Sequence, residues 1–314
     1  MNEALDVVTL GEAMMMLVAG QPGPLEQVDV FHKRTAGAET NVAIGLARLG
    51  LKVGWGSRLG QDSMGRYLLA SIRSEGVDCS HVALVAGERT GMLFKGLVED
   101  GSDPLVEYHR AGSAASRMSP ADVDRNWLLR ARHLHATGVF AAVSAGSFQA
   151  SLQTMRLMRE AGRTVSFDTN LRPTLWASED AMRSGIHQLA ARADWVLPGL
   201  EEGRLLTGER QPEAIARFYR DLGARLVVIK LGPEGAYYDD GAQQGYVPAC
   251  PVDRVIDTVG AGDGFAVGVI SALLEGMDVR GAVGRGAWIG ARAVQVRGDT
   301  EGLPTRAILR QAGL

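Results

Sequence analysis

Lysine is nearly missing from this chain. It occurs only at Lys33, Lys52, Lys95 and Lys230, arginine supplies the rest of the 33 basic residues, and the formal net charge is −3. That balance leaves no basic footprint for nucleic acid and no polybasic patch for a membrane surface. Cysteine is rarer still: Cys79 and Cys250 lie far apart, which excludes a disulfide framework and a thiolate metal site. No apolar run reaches membrane-spanning length. The first residues, Met1-Asn2-Glu3-Ala4-Leu5-Asp6, lack the charged-then-apolar form of a signal peptide, so the cytoplasm is the expected compartment. The six histidines (His32, His81, His109, His133, His135, His187) have no metal spacing. Also missing are a Gly-x-x-x-x-Gly-Lys-Ser/Thr loop and a Gly-x-Gly-x-x-Gly turn after the first strand. P-loop and dinucleotide-binding chemistry are thereby set aside.

What remains is ample material for a core. Across 314 residues, 46% are hydrophobic and 22% charged, the composition of a globular protein. Leu5 to Leu10 reads as a buried strand ending at Gly11. Val42, Leu46 and Leu49 fall at helical spacing before Gly50, and a second helix is expected from Gly65 to Ser74. Met92 to Arg110 reads as two extended arms meeting at Asp100-Gly101, with Val106, Tyr108 and Arg110 on one face. Ser119-Pro120 marks a helix start. Thereafter strand and helix signals alternate. His133 to Thr137, Thr164 to Asp168, Trp195 to Leu197 and Leu226 to Lys230 read as strands, with helices over 147–161, 179–193 and 212–222 between them. Alternation of this kind predicts an α/β fold with a mostly parallel sheet, as one domain with a β-rich excursion around residues 12–36 and 87–112. Ligands in such folds sit beyond the carboxyl ends of the strands.

The most informative stretch is Asp257-Thr258-Val259-Gly260-Ala261-Gly262-Asp263-Gly264-Phe265. It follows an extended run, Tyr246 to Ile256, and opens a helix expected to end at Gly276. A Gly-Ala-Gly turn entering a helix offers backbone N–H groups at the positive end of the dipole, which suits a phosphate. Asp263 then fits as the acceptor of a proton from a nucleophile attacking that phosphate. Taken alone, the turn fits equally well a tight bend whose Asp stabilises a helix end.

The stretch also resembles the C-terminal signature of the ribokinase-like sugar kinases. Ala36-Gly37-Ala38-Glu39-Thr40-Asn41-Val42-Ala43-Ile44-Gly45-Leu46-Ala47-Arg48-Leu49-Gly50 is similar to the N-terminal signature of that family. The resemblance implies a three-layer αβα fold carrying a small β-sheet lid, and ATP-dependent phosphorylation of a sugar-like hydroxyl. It implies Asp263 as the base, kept ionised by the helix N-terminus, and the N–H groups of Gly260, Ala261 and Gly262 as an anion hole. Glu202 matches the acidic member of an Asn-x-x-Glu motif that organises magnesium, here through water, with Gly199 standing where the family has Asn. Asn170, Lys230, Gly232, Gly235 and Ala287 are the implied nucleotide contacts, and dependence on a monovalent cation near residues 253–258 is left open.

For the acceptor, Tyr108-His109-Arg110-Ala111-Gly112-Ser113-Ala114-Ala115-Ser116 resembles the lid of the 2-keto-3-deoxygluconate kinase subgroup. Gly37-Ala38-Glu39, Asn170-Leu171-Arg172 and Arg297-Gly298-Asp299 resemble the same subgroup. An acid sugar needs a cation for its carboxylate, and an arginine fork holds one in two parallel bonds. Arg110 and Arg172 are the candidates, with Gly37, Asn41, Tyr108 and Asp299 as further substrate contacts. Two departures stand out: His109 occupies a place where a second aromatic such as Tyr is usual, and Leu93 and Phe94 supply no tyrosine hydroxyl. The alternatives are a neutral-sugar or nucleoside kinase of the same family, or a binding protein without catalysis. A homo-oligomer formed through the lid is expected.

Overall fold

Burial on alternate faces of the central strands sets the layers. A computed structural model describes residues 4–98 and 104–314. Nine strands form the large sheet: β1 (Leu5–Leu10), β4 (Val53–Gly60), β5 (Asp78–Val85), β8 (Ala131–Thr137), β9 (Thr164–Asp168), β10 (Trp195–Val196), β11 (Leu226–Lys230), β12 (Ala236–Asp239) and β13 (Gln244–Val247). Their order is β13-β12-β11-β10-β9-β8-β1-β4-β5, parallel throughout except where β12 pairs antiparallel with β11 and β13. Along β1, Val8 joins a cluster with Leu134, Val165 and Phe167, whereas Val7 joins one with Val53, Trp55 and Val267. Successive side chains of a strand point to opposite faces, so the near-continuous apolar run of β1 needs cover on both. Helices supply it, and the three-layer α/β expectation holds.

A second sheet stands apart from the first. It has the order β3-β2-β6-β7, from β2 (Met14–Ala19), β3 (Phe31–Ala36), β6 (Met92–Lys95) and β7 (Val106–His109). Met14, Met16, Ala36 and Leu93 form its own small apolar cluster. The two expected arms are therefore present as the antiparallel pair β6–β7. The expected turn at Asp100-Gly101 lies outside the described residues.

Three local expectations change. The extended run from Tyr246 to Ile256 is a strand only as far as Val247. Beyond it Pro248 and Pro251 remove ladder donors. Ser119 does cap a helix and shares a capping box with Asp122, but that helix is a single 3-10 turn, Pro120–Asp122. Trp195 to Leu197 pairs only over Trp195–Val196. No helix among the described residues is long and apolar enough to cross a membrane.

Candidate active site

The carboxyl ends of β8, β9, β10 and β11, the N-terminus of the helix Ala261–Leu274 and one face of the small sheet enclose a cleft of ≈ 550 Å³. That is the range of a small-molecule site. Twelve of the expected residues line it: Gly37, Asn41, Tyr108, Arg110, Asn170, Arg172, Glu202, Lys230, Gly260, Gly262, Asp263 and Asp299.

Asp263 sits in the first turn of its helix, after Gly260 in the left-handed conformation (φ 83°). The only donor recorded for its carboxylate among the described residues is Asn41 Nδ2, at 2.8 Å. The expectation that the helix end keeps it ionised is corrected. Burial pushes its pKa up to about 7, the Asn41 bond opposes this, Asp168 and Asp299 add to it, and Lys230 opposes. Desolvation disfavours the charged form more than one donor and a dipole favour it. A group poised near neutral pH suits general base catalysis.

Neighbouring carboxylates are differently placed. Glu202 accepts from Gly199 N (2.8 Å), Leu171 N (2.6 Å) and Thr169 Oγ1 (2.7 Å). Burial would raise its pKa, but Lys230 and these three donors outweigh burial and lower it. Lys230 binds both oxygens of Asp168, at 2.9 and 2.7 Å. Burial would lower the Lys230 pKa, and the facing Asp168 and Glu202 raise it. Lys230 was expected as a phosphate contact; here its charge is shared with a buried carboxylate at the end of β9. Asn170, beside that pair, has φ 33°, the one positive φ at a non-glycine position among the described residues. Strain of this kind concentrates at functional sites.

On the opposite wall Arg110 is not a free cation. Its Nε donates to Glu12 Oε2 at 2.8 Å and its Nη2 to the same oxygen, while Ser113 Oγ donates to Glu12 Oε1 at 2.5 Å. Below them Glu39 accepts from Thr137 Oγ1, and burial, opposed by that bond, pushes its pKa up to about 7. Arg172 is exposed and donates from Nη1 to the Leu171 carbonyl at 2.7 Å; it makes no ion pair with the described residues. Tyr108 is half exposed on β7, opposite Leu93.

Four expected contacts lie off the cleft lining. Ala287 is buried in the apolar cluster that holds Phe265 and Val283. Gly232 and Gly235 shape the turn between β11 and β12, both with positive φ. Ala261 has its N–H directed at the Thr258 carbonyl (3.3 Å), leaving Gly260 and Gly262 as the glycines of the turn that face the cleft.

Sequence reasoning gave no role to Glu12, Lys95, Asp168 or Asp257, although Asp168 closes a strand it named and Asp257 opens the stretch it singled out. Lys95, almost fully buried on β6, meets Asp257 Oδ2 at 2.5 Å and Asp299 Oδ1 at 3.7 Å. Asp168 could have been flagged, because an acid closing a parallel strand faces the ligand edge. Glu12 and Lys95 had no such signal; each finds its partner across 98 and 162 residues.

The sequence profile of the pfkB family carbohydrate kinases matches residues 4–306. The chain is 50% identical over 303 residues to 2-dehydro-3-deoxygluconokinase of Bacillus subtilis (strain 168), spanning 96% of this chain and 93% of that one. A crystal structure of a PfkB protein from Polaromonas sp. JS666 superposes with a TM-score of 0.91 at 68% identity, over 98% of this chain and 99% of that one. A putative ribokinase II from E. coli, in complex with ATP and magnesium, superposes with a TM-score of 0.91 at 26% identity, over 98% of each chain.

Proposed function

This chain belongs to the pfkB family of carbohydrate kinases, and we propose that within it the protein phosphorylates a sugar acid, converting 2-keto-3-deoxygluconate to 2-keto-3-deoxy-6-phosphogluconate with ATP. The observation that carries the reading is one cleft holding Asp263 at a glycine turn and Arg172 on the acceptor side. The B. subtilis relative, named for that substrate class, supports it.

In this reading the Asp263 carboxylate takes the proton of the acceptor hydroxyl. The hydroxyl oxygen bonds to the γ-phosphorus as the bond from that phosphorus to the bridging oxygen of ADP breaks. The N–H groups of Gly260 and Gly262 face the transferring phosphoryl, and the glycines allow close backbone approach. Asn41 orients the base. Gly37 and Asp299 contact acceptor hydroxyls, Tyr108 covers the acceptor, and the small sheet acts as a lid. ATP lies along Asn170, Lys230 and the 232–235 turn.

No group of three or more His, Cys, Asp or Glu among the described residues could hold a metal. Glu202, which lines the cleft, would hold magnesium through water, with nucleotide phosphates and further waters supplying the other ligands. Bound there, magnesium neutralises charge on the β- and γ-phosphates. A monovalent cation at residues 253–258 does not fit the Asp257 carboxylate, which Lys95 already neutralises. Equal turnover in potassium and tetramethylammonium chloride is expected, and a potassium requirement would restore that site.

A second reading, a neutral ketose as acceptor, has one observation in its favour: Glu12 already balances the Arg110 charge. ADP release over a panel of acid sugars, neutral ketoses and nucleosides separates the two. The sugar-acid reading also expects Arg172→Ala to raise KM for 2-keto-3-deoxygluconate far more than KM for a neutral ketose, and equal losses reject it. Pairing of two copies through the small sheet, whose outer face carries the half-buried Leu17, Phe31 and Phe94, completes the proposal. Size-exclusion chromatography over a dilution series checks it.

A further inference from the structure

Four chain crossings join the two sheets, and all of them meet at one residue, three of them at its side chain or on it and one at its backbone carbonyl. Glu12 lies in the link between β1 and β2 and is 3% exposed. At the crossing from β3 to the helix Ala38–Arg48, Gly37 lies so close that a Cβ would stand 2.5 Å from the Glu12 carbonyl oxygen. At the crossing into β6, a Cβ on Gly91 would stand 2.7 Å from Glu12 Oε1. At the crossing out of β7, Arg110 and Ser113 donate to the two carboxylate oxygens. A carboxylate buried without partners would be costly, so the pairing is held in place by its own desolvation.

We propose that Glu12 is a positioning residue for the acceptor: it pins the Nε–Nη2 edge of Arg110 and closes the joint between the sheets, so that the rest of the guanidinium meets the acceptor already oriented. The inference rests on the sugar-acid reading for the chemistry of the acceptor, but the coupling between Glu12 and Arg110 is measurable on any acceptor the enzyme uses. An arginine on a small sheet otherwise samples many rotamers. Ordering it before binding removes that cost from the binding step. The Glu12 carboxylate also balances the guanidinium, leaving Arg172 as the cation on this side without an ion pair among the described residues.

The test is steady-state kinetics on the intact chain with Glu12→Gln, Arg110→Ala, the double variant and Arg110→Lys. Glu12→Gln is expected to raise the acceptor KM about tenfold and to change the KM for ATP less than about twofold, the split expected of a positioning role. The double variant is expected to match Arg110→Ala within about twofold, because contacting residues that act as a unit are not additive. Additive losses, or equal rises in both KM values, overturn the proposal. Should Glu12→Gln fail to fold, Arg110→Lys keeps the charge without the two-point contact and is expected to reproduce the acceptor KM rise; wild-type kinetics in it overturn the proposal. Failure of the sugar-acid reading shows separately, as wild-type enzyme that turns over only neutral acceptors, and the cycle is then read on those.

Discussion

Two helices begin at the ligand edge of the large sheet, and each carries an acid three residues after a glycine: Gly199-x-x-Glu202 and Gly260-x-x-Asp263. Position and helix dipole are alike, yet the carboxyls behave oppositely. Gly199 is extended (φ −73°) and its N–H reaches back to Glu202, which takes two further donors; with the Lys230 charge they outweigh burial and lower its pKa. Gly260 is left-handed (φ 83°) and no backbone donor to Asp263 is recorded among the described residues. Burial therefore wins there and raises the pKa to about 7. Lys230, Thr169 and the capping N–H of an extended glycine together hold one acid down, whereas the other has a single recorded donor and is left for a substrate.

The largest effect expected from breaking the contrast is chemical. Asp263→Asn should cut kcat on the order of 10³-fold, the usual worth of a general base, with KM values changed only a few-fold. Near-wild-type turnover would remove Asp263 from the mechanism. Next comes the backbone itself. In Gly260→Ala the residue would hold a positive φ and place its Cβ 2.7 Å from the Asp299 carbonyl oxygen. Turnover should fall about 10- to 100-fold, in keeping with strain of about 1–3 kcal/mol. Gly199→Ala, with negative φ and a Cβ 3.2 Å from Glu202 Oε2, should stay within about threefold by the same strain argument. Equal damage in both would mean that the glycine conformations do not matter.

Smaller effects concern stability. Glu202→Gln should destabilise the fold by about 1–3 kcal/mol near neutral pH, because a donor NH₂ would face backbone N–H groups. Since the folded pKa of Glu202 lies below its unfolded value, its contribution is present above the unfolded pKa and lost as pH falls through the folded one. Asp263 has the reverse sign. Its folded pKa lies above the unfolded value, so stability declines as pH rises from about 4 to about 7. Asp263→Asn should therefore melt about 6 °C higher than wild type at pH 8, with the difference gone near pH 4. A lower melting point at pH 8 would contradict the buried, desolvated carboxyl.

Much of the frame was legible because it rests on local pattern. Leu5–Leu10, Thr164–Asp168 and Leu226–Lys230 are strands to the residue, since short apolar runs between turn signals leave few other options. The glycine turn and the 36–50 segment named the reaction class. The ionic wiring of the cleft was not legible. Arg110, expected at a substrate, pairs with Glu12 as well, and Lys230, expected at phosphate, pairs with Asp168. Such pairings depend on how two sheets and several strand ends converge, and no periodicity in the sequence records that. The ionisation of Asp263 was misjudged for the same reason: a dipole is visible in sequence, but burial is not.

Carboxyl ¹³C NMR titration, with the Asp263 resonance assigned by its loss in Asp263→Asn, tests the contrast most directly. Asp263 should titrate with a midpoint near 7 and Glu202 below its ordinary value of 4.5. Two midpoints together in the ordinary carboxylate range, near 4, would contradict it.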